Sequence, residues 1–176
     1  MSDLKHLVRA IPDYPKPGII FRDVTTLFAD PDGMAGIVSA MCEPFRDAAI
    51  DCVAGIDARG FILGGAMAVT LGKGFVPIRK KGKLPAEVYR QEYALEYGVD
   101  EVEIHVDALP TGSRVLLVDD LIATGGTAIA AVKLIERAGG AVPAAAFAIE
   151  LPDLGGVDAL KGRGVDVFSV MAFEGD

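Results

Sequence analysis

The chain has no tryptophan, only two cysteines and two histidines, and too few cations to balance its acids. Cys42 and Cys52 are too few for a disulfide framework or a cysteine metal cluster, so a reducing cytoplasm is the simpler setting. His6 and His105 lack the spacing of a metal pair, and His105 is expected on the solvated face of a strand. Lysine and arginine total 17 against 25 aspartate and glutamate, a formal charge of −8. That balance argues against non-specific nucleic-acid binding, which needs a basic surface. It leaves room for an anionic substrate, because local charge decides there. No apolar run reaches the roughly 18 residues of a membrane span. Met1-Ser2-Asp3-Leu4-Lys5-His6 is charged and has no apolar stretch, so no signal peptide is expected. What is present is 176 residues, 51% hydrophobic, with 21 glycines. That is enough for one domain over residues 1–176 with a sizeable core.

The most informative segment is Val115-Leu116-Leu117-Val118-Asp119-Asp120-Leu121-Ile122-Ala123-Thr124-Gly125-Gly126-Thr127. Four apolar residues read as a buried parallel strand, with two adjacent carboxylates at its carboxyl end. A short loop of small residues follows, and then a helical pattern. Ligands of open α/β sheets bind outside the carboxyl ends of strands. Small residues leave backbone N–H groups free to wrap a phosphate, and a helix N-terminus adds a favourable dipole. Paired carboxylates accept hydrogen bonds from sugar hydroxyls. The segment therefore suits a sugar that carries a phosphate. Alternatively, the acids are metal ligands or a solvated turn, and the glycines serve only helix–strand packing.

Along the chain, Leu4, Leu7 and Val8 share one face of a short helix. Pro12, Pro15, Pro17 and Gly18 break regular structure, so residues 12–23 should form an ordered loop carrying an exposed aromatic, Phe21. Asp32 is a candidate cap for a helix to about Phe45, with Met34, Ile37, Val38 and Met41 facing inward. Strands are expected at 52–56, 74–78, 114–118, 141–149 and 165–171, and helices at 61–71, 125–138 and 154–160. Residues 79–98 are polar and form a mobile segment or β-arm. Residues 101–106 alternate charged and apolar, like a strand with one wet face. The alternation predicts an α/β fold, a mainly parallel twisted sheet with flanking helices, plus a small N-terminal hood over about residues 1–30.

Other segments admit two readings each. Phe21 is a core staple or a flat platform for a base. Arg22 and Asp23 form a surface ion pair, or their stretch of backbone reads a base edge. Arg59, at a helix start before Gly60, holds its loop through Asp57 or meets an anion. Arg79, Lys80, Lys81 and Lys83 place four cations within residues 79–83, as a solvated loop or a pyrophosphate site. Glu96 and Tyr97 are a surface acid and an anchor, or parts of a lid.

The 115–127 pattern resembles the signature of the type I phosphoribosyltransferase family. Ile11 to Asp23, Gly55 to Phe61, Ile78 to Pro85 and Tyr93 to Gly98 resemble the blocks of that family's adenine-using members, in the same order. Val88 to Glu92 departs from some relatives, and Arg90 there is a candidate for contacts of its own. The resemblance implies that adenine and phosphoribosyl pyrophosphate react to AMP and pyrophosphate, with Mg²⁺ carried mainly by the substrate and no certain direct protein ligand. It implies that Asp119 and Asp120 meet the ribose hydroxyls, partly through water on the metal, and that Ala123, Thr124, Gly125, Gly126 and Thr127 grip the 5′-phosphate. Phe21 would carry the base, with backbone of Ile20 and Arg22 at its edge. Arg59 and Lys83 would stabilise the pyrophosphate, and Arg79 would reach the neighbouring subunit of a homodimer. Glu96, near the attacking nitrogen, and Tyr97 would be catalytic within a mobile loop over about residues 79–98, of which 86–98 would close as a lid. It further implies a cis or strained Asp57–Ala58 peptide. Two rival readings are a phosphoribosyltransferase for xanthine, hypoxanthine or guanine, and a non-catalytic regulator. The chain shows no added basic DNA element that the second would need.

Overall fold

The computed structural model describes residues 4–94 and 98–174. Chain order begins with a 3₁₀ turn, Leu4–Leu7, followed by strands β1 (Arg9–Pro12) and β2 (Ile20–Asp23) and helices α1 (Thr25–Ala29) and α2 (Pro31–Cys42). Then come β3 (Cys52–Ile56), α3 (Arg59–Leu71), β4 (Gly74–Lys80), β5 (Val88–Ala94) and β6 (Val99–His105). The chain closes with β7 (Arg114–Ile122), α4 (Gly126–Arg137), β8 (Ala141–Glu150), α5 (Gly156–Lys161) and β9 (Asp166–Ala172).

Among the described residues, seven strands form the main sheet in the order β5-β6-β4-β3-β7-β8-β9. The five from β4 to β9 run parallel, as βαβ connections require. β6 joins β4 antiparallel and β5 joins β6 antiparallel, so the polar stretch after β4 is a β-arm on the sheet edge. The apolar run of β7 serves both faces. Val115 and Leu117 pack with α4 and α5, while Leu116 and Val118 pack with α2 and α3. The period of two along a strand explains why a continuous apolar run is needed when helices cover both sides.

Four expectations change. Residues 12–23 are not simply a loop: β1 and β2 pair antiparallel and put Phe21 opposite Ile11. Phe21 is half-buried against Tyr14, with ring centroids 5.3 Å apart, and Tyr14 is the exposed aromatic. Asp30, not Asp32, caps α2, its carboxylate accepting the Gly33 N–H at 2.7 Å. The reason is Pro31, which takes the first helical position where no N–H is needed. The wet face expected for β6 is buried instead, because Glu101 and Glu103 have cationic and backbone donors around them. Finally, β7 runs four residues further than expected, so Asp119 and Asp120 lie within the paired strand, with Asp119 opposite Phe147 of β8.

The hood is anchored by Asp23. Its carboxylate accepts Arg9 Nε at 3.0 Å, the Thr25 N–H at 2.9 Å and the Thr25 hydroxyl at 2.7 Å. These bonds, led by that from Arg9, lower its pKa from 3.8 to about 2. A depressed carboxylate pKa contributes stability above the unfolded value, and that contribution vanishes as pH falls through the folded value. Unfolding curves of wild type and Asp23→Asn should therefore differ at neutral pH, the variant being weaker. The gap should close as pH falls from about 4 to about 2. A gap constant over that range would dismiss Asp23 as an ionic anchor.

Candidate active site

Two strand tips stand side by side. β3 and β7 are parallel neighbours, so the chain after Ile56 and the chain after Ile122 emerge on the same edge. From β3 come Asp57 and Ala58, joined by a cis peptide as expected, and then Arg59 at the start of α3. From β7 come Asp119 and Asp120. Arg59 Nε donates to Asp120 Oδ2 and ties the two tips together. Asp120 is buried, whereas Arg59 is about half exposed and keeps its remaining donors toward the cavity.

Beyond Ile122, Ala123, Thr124 and Gly125 turn the chain into α4. Gly125 has φ +84°, a left-handed conformation that side chains disfavour. No side chain caps α4, so its first-turn N–H groups face the cavity with the dipole behind them. The turn is backed by α5. A Cβ on Gly156 would overlap the Ala123 carbonyl oxygen and lie 2.7 Å from the Gly125 nitrogen. The Gly156 N–H donates to that carbonyl at 3.0 Å.

These elements enclose a cavity of about 360 Å³ lined by Asp57 to Arg59, Lys80, Asp119, Asp120 and Ala123 to Ala128. Burial raises the Asp119 carboxyl well above the usual range, and the adjacent Asp120 charge adds to the effect. A second cavity of about 330 Å³ lies under the hood, between Ile11, Tyr14, Phe21 and the Asp23–Thr25 turn. Arg59 lines both, so the two open on one guanidinium.

The structure thus brings together Arg59, Asp119, Asp120, Ala123, Thr124, Gly125, Gly126 and Thr127, and places Phe21 next door. Ile20 and Arg22 line neither cavity. The Arg22–Asp23 pair is not formed: Asp23 binds Arg9, and the Arg22 guanidinium lies 4.5 Å from the Phe173 ring centre. Nor does Arg59 bind Asp57. Arg79 does, its Nε donating at 3.2 Å, while its Nη1 donates to the Lys83 carbonyl at 3.2 Å. Lys83 itself is exposed and lines neither cavity. Glu96 and Tyr97 lie outside the described residues.

Of the four cations in the basic cluster, Lys80 is the one that lines the main cavity, and its Nζ donates to the Tyr93 hydroxyl at 2.6 Å and to Asp100 across the arm. Strand alternation carries the signal, since Lys80 follows Val76 and Ile78 on one face. Gly156 shapes the turn after β7, and no local sequence pattern marks it.

A family model described as the phosphoribosyl transferase domain matches residues 23–164. The chain belongs to that family. Within it, the chain stands among the adenine phosphoribosyltransferases. It is 61% identical over 173 residues to the adenine phosphoribosyltransferase of Parvibaculum lavamentivorans, covering 98% of this chain and 99% of the relative. The crystal structure of the Thermoanaerobacter pseudethanolicus enzyme of that name superposes with a TM-score of 0.92 at 44% identity, covering 97% and 98% of the two chains. That of Saccharomyces cerevisiae, complexed with an imino-altritol bisphosphate and adenine, gives 0.89 at 39% identity, covering 96% and 97%.

Two variants probe the pocket. Folding lifts the Asp119 pKa, so ionised Asp119 weighs against the folded state once pH exceeds its unfolded value. Asp119→Asn keeps the acceptor for the Asp120 N–H, now at 2.9 Å. It should raise the melting temperature at pH 7 by roughly 2–4 °C, the shift expected for about 1 kcal/mol in a chain of this size. Turnover should meanwhile fall about a hundredfold or more. Gly156→Ala should push the Ala123–Gly125 turn inward and raise KM for the sugar-phosphate substrate about tenfold, with far-ultraviolet circular dichroism unchanged. Normal KM there would mean that α5 does not shape the turn.

Proposed function

We propose that the paired cavities transfer the 5-phosphoribosyl group of phosphoribosyl pyrophosphate to adenine, releasing AMP and pyrophosphate. The observation that carries this reading is the single Arg59 shared by an anion-binding strand-tip cavity and an aromatic cavity under the hood.

In this reading the 5′-phosphate sits on the N–H groups of Ala123 to Thr127, a helix-terminus site for an anion. Asp119 and Asp120 take the ribose hydroxyls, so binding energy remote from C1′ holds that carbon in place. As the bond to pyrophosphate lengthens, the sugar gains oxocarbenium character. Arg59 and Lys80 in the cavity wall, with Lys83 from the basic loop, stabilise the departing charge, and Arg79 serves the neighbouring subunit. Adenine stacks on Phe21, a contact worth about 1–3 kcal/mol per base. Its nitrogen attacks from the opposite face and inverts C1′, while Glu96 accepts its proton and Tyr97 closes with it as part of the lid. Backbone of Ile20 and Arg22 reads the adenine edge.

Mg²⁺ fits this donor set as an ion borne by the substrate. Asp119 and Asp120 offer hard oxygens, Asp120 already holds Arg59, and no cluster of three or more metal-ligating side chains occurs among the described residues. The two carboxylates would hold the ion through water, and when bound it neutralises pyrophosphate charge. A homodimer in the cytoplasm belongs to the same reading. Ile62 and Val69, exposed on α3, offer apolar surface to a second copy. No helix among the described residues is long and apolar enough to cross a membrane.

The test is product formation from labelled adenine, hypoxanthine, guanine and xanthine with phosphoribosyl pyrophosphate. AMP should form from adenine, activity should vanish with chelator, and the other bases should yield little. Preference for guanine would refute the base assignment. Binding of the sugar phosphate without product from any base would make the chain a regulator.

A further inference from the structure

We infer that Glu103 is a positioning residue for this reaction: its buried carboxylate fixes the turn after β4 and so aims the basic loop at the departing pyrophosphate. The inference deepens the function proposed above and rests on it.

Glu103 stands mid-strand in β6, opposite Arg79 of β4 on one side and Arg90 of β5 on the other. It is 1% exposed. A carboxylate that deep needs donors on both oxygens, because an unsatisfied charge there is strongly destabilising. It has them. Oε2 accepts the Gly82 N–H at 3.0 Å, and Oε1 accepts Arg90 Nε at 2.9 Å. Beside it, Glu101 accepts Lys81 Nζ at 3.3 Å, and its main-chain carbonyl accepts the Lys81 N–H at 3.2 Å.

Gly82 is the centre of the basic turn. The turn is closed by the Lys83 N–H donating to the Lys80 carbonyl at 3.3 Å. Arg79 grips its far end through the Lys83 carbonyl and returns to Asp57 in the cavity wall. A path of three hydrogen bonds and one peptide link therefore runs from Glu103 through Gly82, Lys83 and Arg79 to Asp57, near Arg59. Lys83 is exposed, and its side chain has no such anchor among the described residues, so its place relative to the cavity is set by its backbone. The backbone is set by Glu103. A merely structural Glu103 would instead serve to pin the arm through Arg90.

Glu103→Gln and Arg90→Met separate these roles. Pyrophosphate binding is read by titration calorimetry, KM for each substrate by steady-state assay, and the Gly82 amide by hydrogen exchange. Replacing the charged acceptor of the Gly82 N–H by a neutral amide oxygen predicts about tenfold weaker pyrophosphate binding for Glu103→Gln, a similar rise in KM for phosphoribosyl pyrophosphate, and faster Gly82 exchange. KM for adenine should stay within about twofold, and Arg90→Met should keep pyrophosphate affinity within about twofold. If Glu103→Gln does not fold, Glu103→Asp, which retains charge but falls short of Gly82, is read by the same criteria. Wild-type pyrophosphate affinity in the folded variant overturns the inference, as does an equal loss toward adenine or a full loss in Arg90→Met. Wild-type protein that binds no pyrophosphate overturns it together with the proposed function, whereas the other outcomes leave that function standing.

Discussion

The architecture turns on the ion pair between Arg59 and Asp120, which joins the tips of two adjacent parallel strands. Without such a bridge, the half-buried Asp119 and the buried Asp120, in succession near the end of β7, would repel one another in a medium of low polarity. With it, Asp120 is neutralised locally, Arg59 is held at the mouth of both cavities, and the starts of α3 and α4 converge on one point. The bridge sets one acid apart from the other. Asp120 has its guanidinium, while Asp119 is left with desolvation and its neighbour's charge, which push its carboxyl up. A group that folding disfavours in its charged form is stability set against function. The cost is tolerable because the rest of β7, from Val115 to Val118, is fully buried on both faces.

The catalytic edge was legible because its physics is local. A run of four apolar residues, two acids and a glycine turn lie within thirteen consecutive positions, so strand, turn and helix start are readable there, although pairing with β8 carries β7 four residues past the apolar run. The same is true of the parallel sheet, which alternation of elements dictates. What could not be read depends on distant partners. Glu101 and Glu103 looked solvated because charged–apolar alternation usually means a wet face. Only the pairing of β6 with β5 and β4 brings Arg90, Lys81 and the Gly82 N–H to them. Gly156 is separated from Ala123 by more than thirty positions, so its contact with the Ala123–Gly125 turn has no trace in either neighbourhood. The hood fell between these cases. Its prolines announced a break in structure, yet the pairing of Arg9–Pro12 with Ile20–Asp23 is a short-range fact that proline content obscured.

The arm adds a different logic. Besides its main-chain pairing and the buried Tyr93, Val102 and Ile104, a row of ion pairs joins it to the sheet: Lys80 with Asp100, Lys81 with Glu101, and Arg90 with Glu101 and Glu103. Such pairs add little to the attachment, since they lose much of their attraction to desolvation. Charge, however, is what a polyanionic leaving group can address. Under the proposed function, a pyrophosphate arriving at the cavity would compete for Lys80, so substrate and arm are coupled through that one side chain. Lys80 is placed for this, lining the cavity while bonded to Tyr93 and Asp100. Apolar contacts alone could not register the charge of a ligand; under the proposed function a lysine shared between arm and cavity does, which is a physical reason to place cations there on an otherwise acidic protein.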